Sequence, residues 1–224
     1  PPQGGFGQPP QGGFGQAPPG GFGQAAPGGF GQPPSGGFGQ PPRGGDEQVR
    51  LPPGMNQQAL QALAQQERQD LGAQPTAQLH RGPPHGATPT SIPGAKLIDT
   101  LGLVSMLGHQ PPVPVVILDA LGAPIGLPNA VPAAWAAGGN SFQDQTQQQL
   151  GQMLGQVTRG NRSIPVVVYC ADPNCWMSYN VALRAAQLGY QNVLWYRGGL
   201  WAWQQAGMRT QPMQQQQQQQ QRSQ

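Results

Sequence analysis

The sequence predicts an α/β domain, a central parallel sheet with helices on both faces, set between two low-complexity tails. Three observations predict it. Short runs such as Val115-Val116-Ile117-Leu118 and Val166-Val167-Val168-Tyr169 are apolar throughout, as strands buried on both faces are. Segments with apolar residues at helical spacing separate these runs, and such alternation is the pattern of a parallel sheet. Glycine (35) and proline (27) are concentrated before residue 95, and glutamine dominates the end, which confines the foldable part to the middle. The expected organisation is octarepeats over 1–50, a linker over 51–93, the α/β domain over 94–209 and a polyglutamine tail over 210–224.

The octarepeats read PPQGGFGQ twice, then APPGGFGQ, AAPGGFGQ, PPSGGFGQ and PPRGGDEQ. One Phe per unit (6, 14, 22, 30, 38) cannot offset an ordering cost of roughly 1–2 kcal/mol per residue, so disorder is expected. Such a chain is a solvated spacer, or a string of aromatic stickers suited to weak protein contacts. The repeats contain no histidine, which removes the copper-binding reading of glycine-rich octarepeats. In the linker, Leu60, Leu63, Ala64 and Leu71 suggest a short amphipathic helix between Met55 and Leu71, either packed on the domain or frayed. His80 and His85 fall in a Gly/Pro-rich stretch and read as solvated loop residues.

Within the domain, Lys96–Ile98 reads as a short strand and 99–108 as a helix with Leu101, Leu103, Val104 and Leu107 on its apolar side. His109 reads as a helix-end residue. The run 115–118 is a strand ending at Asp119, and Leu127–Val131 reads as a third strand entered through a turn. The segment 142–157 carries Leu150, Met153, Leu154 and Val157 at helical spacing. A strand over 165–169, a helix over 177–188, a strand over 192–196 and a short helix through Trp203 to Gly207 complete the domain. Trp195, Trp201 and Trp203 read as core or rim packing. About 115 residues suffice for one core, and the eight glutamines at 214–221 form a polar tail.

Charge narrows the function. Only 8% of residues are charged, the net charge is +3 and the arginines form no block, so a nucleic-acid surface has no support. No apolar run reaches the roughly 18–20 residues of a membrane span. Nothing suggests a cofactor, and two thiols without a neighbouring histidine make a poor metal site.

Both cysteines lie at one strand–loop–helix junction. Cys170 ends an apolar strand, and the carboxyl ends of strands are where open α/β sheets bind ligands. Cys175 falls near the first turn of the next helix, where the helix dipole lowers a thiol pKa. The intervening loop, Ala171-Asp172-Pro173-Asn174, is expected to turn its N–H groups toward the Cys170 sulfur and stabilise a thiolate or a sulfur-bound anion.

Four landmarks then resemble the rhodanese-like (sulfurtransferase) family over about 94–209. They are the strand-end Asp119, the turn Leu127-Pro128-Asn129-Ala130-Val131-Pro132, the strand Val168-Tyr169-Cys170, and the ending Gly189-Tyr190-Gln191-Asn192-Val193 through Gly198-Gly199 to Trp203. Cys175-Trp176 is similar to a rhodanese-like branch with a C-W motif, linked with pyrroloquinoline-quinone-dependent catabolism in bacteria. The resemblance implies a rhodanese-like sheet fold and a Cys170 persulfide that takes sulfane sulfur from a donor and passes it to a thiol acceptor. Ala171, Asp172, Pro173, Asn174, Trp176 and Asp119 are the implied substrate-binding residues. Export to a bacterial periplasm follows from that branch and from a chain that starts at Pro1 inside a repeat; the alternative is the cytoplasm.

The departures from the family shape the alternatives. Its loop carries a Gly and an Arg before the helix, whereas Pro173, Asn174, Cys175 and Trp176 stand here and Asp172 adds a negative charge. The nearest basic residues, Arg184 and Arg197, lie outside the loop. Trp176 stands six residues after Cys170, where related phosphatases need arginine. Cys175 is a resolving thiol for the persulfide, half of a redox switch, or half of a structural disulfide. A catalytically inactive interaction module is the alternative to the enzyme.

Overall fold

The apolar run at Val166–Tyr169 becomes the middle strand of a five-stranded parallel sheet. The computed structural model describes residues 56–109, 112 and 114–213; the octarepeats and the glutamine tail lie outside them. In chain order the elements are α1 (Gln57–Glu67), β1 (Lys96–Ile98), α2 (Thr100–Leu107), β2 (Val116–Asp119), β3 (Ile125–Gly126) and β4 (Val131–Pro132). A 3-10 turn (Ala134–Ala137), α3 (Gln145–Val157), β5 (Val166–Tyr169), α4 (Trp176–Gln187), β6 (Val193–Tyr196), α5 (Gly199–Gln205) and β7 (Gln211–Pro212) follow. The sheet order is β1-β6-β5-β2-β4, and every pairing in it is parallel. β3 and β7 form a separate antiparallel pair.

Side-chain alternation along β5 divides the core. Val166 and Val168 pack with Leu150, Leu154 and the buried face of α4. Val167 and Tyr169 pack with Leu103, Val104, Leu200 and Trp203 on the other side. Both faces are therefore covered, which is why the strands needed no polar alternation. Aspartates start two of the helices: Asp99 accepts from Gly102 N and Asp144 from Gln147 N, each at 2.8 Å.

Of the third expected strand, 127–131, only Val131 is in a strand, as the first residue of β4. Leu127–Ala130 is a turn between two short strands, and Asn129 sits at φ 59°, a left-handed conformation that interrupts a strand. Leu107 and Val157, expected on apolar faces, are 36% and 42% exposed. Each is the last residue of its helix, where no further turn covers it. Trp195 and Trp203 are core, whereas Trp201 is 39% exposed.

Residues 56–93 pack on the domain. Leu60 and Leu63 of α1 are buried, with Leu63 in the core shared by α2 and α5. Glu67, the last residue of α1, is fully buried. It accepts from Thr100 N at 2.8 Å and pairs with the Thr100 hydroxyl, which bonds Tyr196 Oη at 2.6 Å. Burial outweighs those bonds and pushes the Glu67 carboxyl up to about 7.

Candidate functional site

Cys170 follows the last residue of β5, and Cys175 is the N-cap of α4. The two are joined by a disulfide with Cα atoms 6.1 Å apart, and each cysteine is 1% exposed. The loop between them curls through Asp172. Cys175 N donates to Asp172 O at 3.2 Å and Asn174 N to Asp172 Oδ1 at 2.7 Å. Trp176 N donates outward to Pro84 O at 2.9 Å.

These bonds alter the expectation that the loop N–H groups converge on the Cys170 sulfur. The amides of Asn174, Cys175 and Trp176 are engaged with oxygen, a better acceptor than sulfur, and Pro173 has no N–H to give. Asp172 acts as the turn-former. Ala171, Asp172 and Pro173 are half-buried, and Asn174 alone in the loop is exposed.

A strap from the chain ahead of the sheet lies over this loop. Gly86 N donates to Asn174 O at 2.8 Å, His85 pairs with Cys175 as an isolated antiparallel bridge, and the Thr88 hydroxyl donates to Pro173 O. The Trp176 ring stacks on His80, with centroids 4.1 Å apart and planes 10° from parallel. One turn on, Tyr179 Oη accepts from Thr76 N and donates to Thr76 O, both at 2.9 Å. The Asn180 amide bonds both the N–H (2.8 Å) and the carbonyl (2.9 Å) of His80. The face of α4 that carries Trp176, Tyr179 and Asn180 is thus buried under the segment from Thr76 to His80.

From the other side α5 grips the loop. Leu200 N donates to Cys170 O and Trp201 N to Ala171 O, each at 2.9 Å. Gly199, at φ +63°, permits this approach, because a Cβ there would lie 2.5 Å from Cys170 O.

Asp119 is fully buried beside Tyr169, on the strand next to β5. It accepts from Leu121 N (2.7 Å), Gly122 N (2.9 Å) and Tyr169 Oη (2.7 Å), so its carboxylate satisfies its own loop. Burial and then the neighbouring Asp119 charge hold the Tyr169 hydroxyl far above its ordinary range. The two arginines expected nearest the site, Arg184 and Arg197, are also committed. Arg184 binds Asp144 at 3.0 Å together with the carbonyls of Gly138 (2.6 Å) and Ser141 (3.0 Å); this hydrogen bonding holds the Asp144 carboxyl well below its usual range. Arg197 is 1% exposed and donates to Thr88, Glu67 O and Gln69 O. His109 is exposed, its Nδ1 3.1 Å from Ser105 O at the end of α2. Among the described residues no group of three or more His, Cys, Asp or Glu side chains is placed to hold a metal. No helix among them is long and apolar enough to cross a membrane.

One cleft lies against the loop and another against the first turn of α4. The first, about 360 Å³, is lined by Asp172, Pro173, Asn174, Leu71 and Trp201; the other, about 260 Å³, by His80, Arg81, Trp176 and Asn180. Trp176, 8% exposed, is a wall of the second cleft.

The middle strand of the parallel sheet thus runs directly into a cysteine, against a helix that opens with Gly198-Gly199. Residues 124–206 match the family model of the rhodanese-like domain. The match runs from just before β3 through α5 and contains the cysteine loop; β1 and β2, which complete the sheet, precede it. No curated protein matches the chain.

Sequence reasoning missed the strap and its anchor. Thr88 and Pro89 are buried within a Gly/Pro-rich stretch, and Arg197 is an arginine directly after an apolar strand, where a charge needs a buried partner. That misfit was the available signal.

Proposed function

We propose that the domain handles sulfane sulfur through Cys170 and that Cys175 resolves the product. The observation that carries this reading is the Cys170–Cys175 bond at the end of β5, which brings the second thiol into reach of the first. In the reduced protein the Cys170 thiolate attacks the outer sulfur of a donor such as thiosulfate. A Cys170–S–S⁻ persulfide forms and the donor remnant, sulfite, leaves. Protonated, the persulfide is attacked at Cys170 Sγ by the Cys175 thiolate; the inner S–S bond breaks, HS⁻ departs and the disulfide forms. The sulfane sulfur is reduced by two electrons and the two thiols are oxidised. A dithiol reductant resets the pair, and a thiol acceptor competing with Cys175 takes the sulfur directly. A disulfide of this kind suits an oxidising compartment such as the periplasm.

One set of observations favours a second reading, a disulfide-locked interaction module: both cysteines are buried, and three loop amides are engaged away from the sulfur. The test is to reduce the protein, remove the reductant, add thiosulfate or a polysulfide, and measure released hydrosulfide alongside intact mass. The sulfur-handling reading expects one hydrosulfide per disulfide formed, abolished in Cys170→Ser. No hydrosulfide and no added sulfur with any donor would leave the locked module.

A further inference from the structure

We propose that residues 80–88 are a lid over the Cys170–Cys175 pair, latched by Thr88, and that the pair meets its redox partner when this strap lifts. The inference rests on the reading above only in taking these cysteines as the working pair. The strap is held at its two ends and, between them, by hydrogen bonds from Gly86 N to Asn174 O (2.8 Å), from Trp176 N to Pro84 O (2.9 Å) and from Arg81 Nη2 to Asn140 O (2.8 Å). At one end, His80 stacks on Trp176 and is bonded through its backbone to Asn180. At the other, the Thr88 hydroxyl gives its hydrogen to Pro173 O in the cysteine loop and accepts Arg197 Nε at 2.9 Å. Between these anchors residues 81–87 are exposed. Apart from the His85–Cys175 bridge, they lie in no helix or strand.

An exposed segment with few backbone bonds and strong ends opens locally at far lower cost than the sheet unfolds. Beneath it both cysteines are 1% exposed, so a reductant or sulfur donor has no approach while the strap is down. The latch is also placed to act on the loop itself. Thr88 touches Pro173, so losing its hydroxyl frees the carbonyl of the residue that leads into Asn174 and Cys175. Arg197 has no acidic partner among its hydrogen bonds, only Thr88 and two carbonyls of the chain leading into the strap. Its buried charge is matched to the closed state. Thr88 is thus a positioning residue, acting on the cysteines through Pro173.

The test is the rate at which dithiothreitol reduces the disulfide in the full chain, read by alkylation and mass. Each event delivers two electrons and two protons, leaving two protein thiols and the cyclic reagent disulfide. Thr88→Val, which keeps shape and loses the hydroxyl, is expected to be reduced roughly ten-fold faster than wild type, the factor carried by loss of a buried hydrogen bond. His80→Ala opens the other end and is expected to accelerate reduction as well, so either variant carries the test if the other fails to fold. Leu154→Val, a core change on α3 remote from the strap, serves as the control and is expected to react at the wild-type rate. Equal rates in wild type and both strap variants would overturn the proposal, and so would a control accelerated as much as they are, because opening would then be global. Sulfur loading of the reduced protein is scored separately. Faster reduction without sulfur uptake refutes sulfur handling and keeps the lid; uptake with unchanged reduction rates does the reverse.

Discussion

Arg197 reaches Thr88 by two hydrogen bonds, from Nε to the hydroxyl and from Nη2 to the carbonyl, both at 2.9 Å. The same guanidinium closes on Glu67 O at 2.7 Å and Gln69 O at 2.8 Å. One buried side chain therefore ties α1, the strap and β6 together. Arg197→Met should leave those carbonyls without donors and cost about 3 kcal/mol, by the scale for buried polar groups that lose a charged partner. Arg197→Lys should rescue little, since an ammonium cannot span the same fork. Urea unfolding of the three proteins measures this.

Glu67 makes the docking of α1 pH-sensitive. Burial raises its pKa from an ordinary 4.5 to about 7, with Asp99 raising it further and Thr100 and Arg68 opposing. Because the folded value lies above the unfolded one, the stability is fully present below pH 4.5 and is lost as pH rises through about 7. Over that window the unfolded chain releases its proton while the folded one keeps it. Chemical unfolding at a series of pH values should show this decline, and Glu67→Gln should flatten it. A decline of the same size in the variant would assign it to another group.

Gly199→Ala should disturb the cysteine loop directly. A left-handed conformation costs a non-glycine residue about 1–2 kcal/mol, and the added methyl would meet the Cys170 and Ala171 backbone. Backbone cannot yield as a side-chain tip does, so a loss of more than about 2 kcal/mol is expected. Thermal unfolding reads the stability, and alkylation rates read cysteine accessibility in the same samples.

The sheet was legible because its strands carry their own signature. Val116–Asp119, Val166–Tyr169 and Val193–Tyr196 are apolar on both faces and fall within a residue of their expected bounds. The expected strand over 127–131 is mostly a turn: Leu127 is fully buried while its neighbours turn, and apolar content does not distinguish a buried turn from a strand. Cys170 and Cys175 could be placed at a strand end and a helix start by order alone. What covers them could not. The strap is tied by backbone carbonyls of Pro84, Thr88 and Pro173, and such contacts leave no pattern in residue type. A loop that folds back tightly after Cys170 is expected to turn its amides toward the sulfur, whereas the Asp172 side chain and carbonyl accept from Asn174 N and Cys175 N.

In the proposed chemistry Cys170 carries sulfur and Cys175 removes it. Its most direct test is peptide mass mapping of reduced Cys175→Ser protein after exposure to polysulfide, beside the wild type. Without its resolving thiol the variant should accumulate a persulfide on Cys170, while the wild type should show the Cys170–Cys175 disulfide and free hydrosulfide. A Cys175→Ser protein in which Cys170 remains an unmodified thiol would contradict the account.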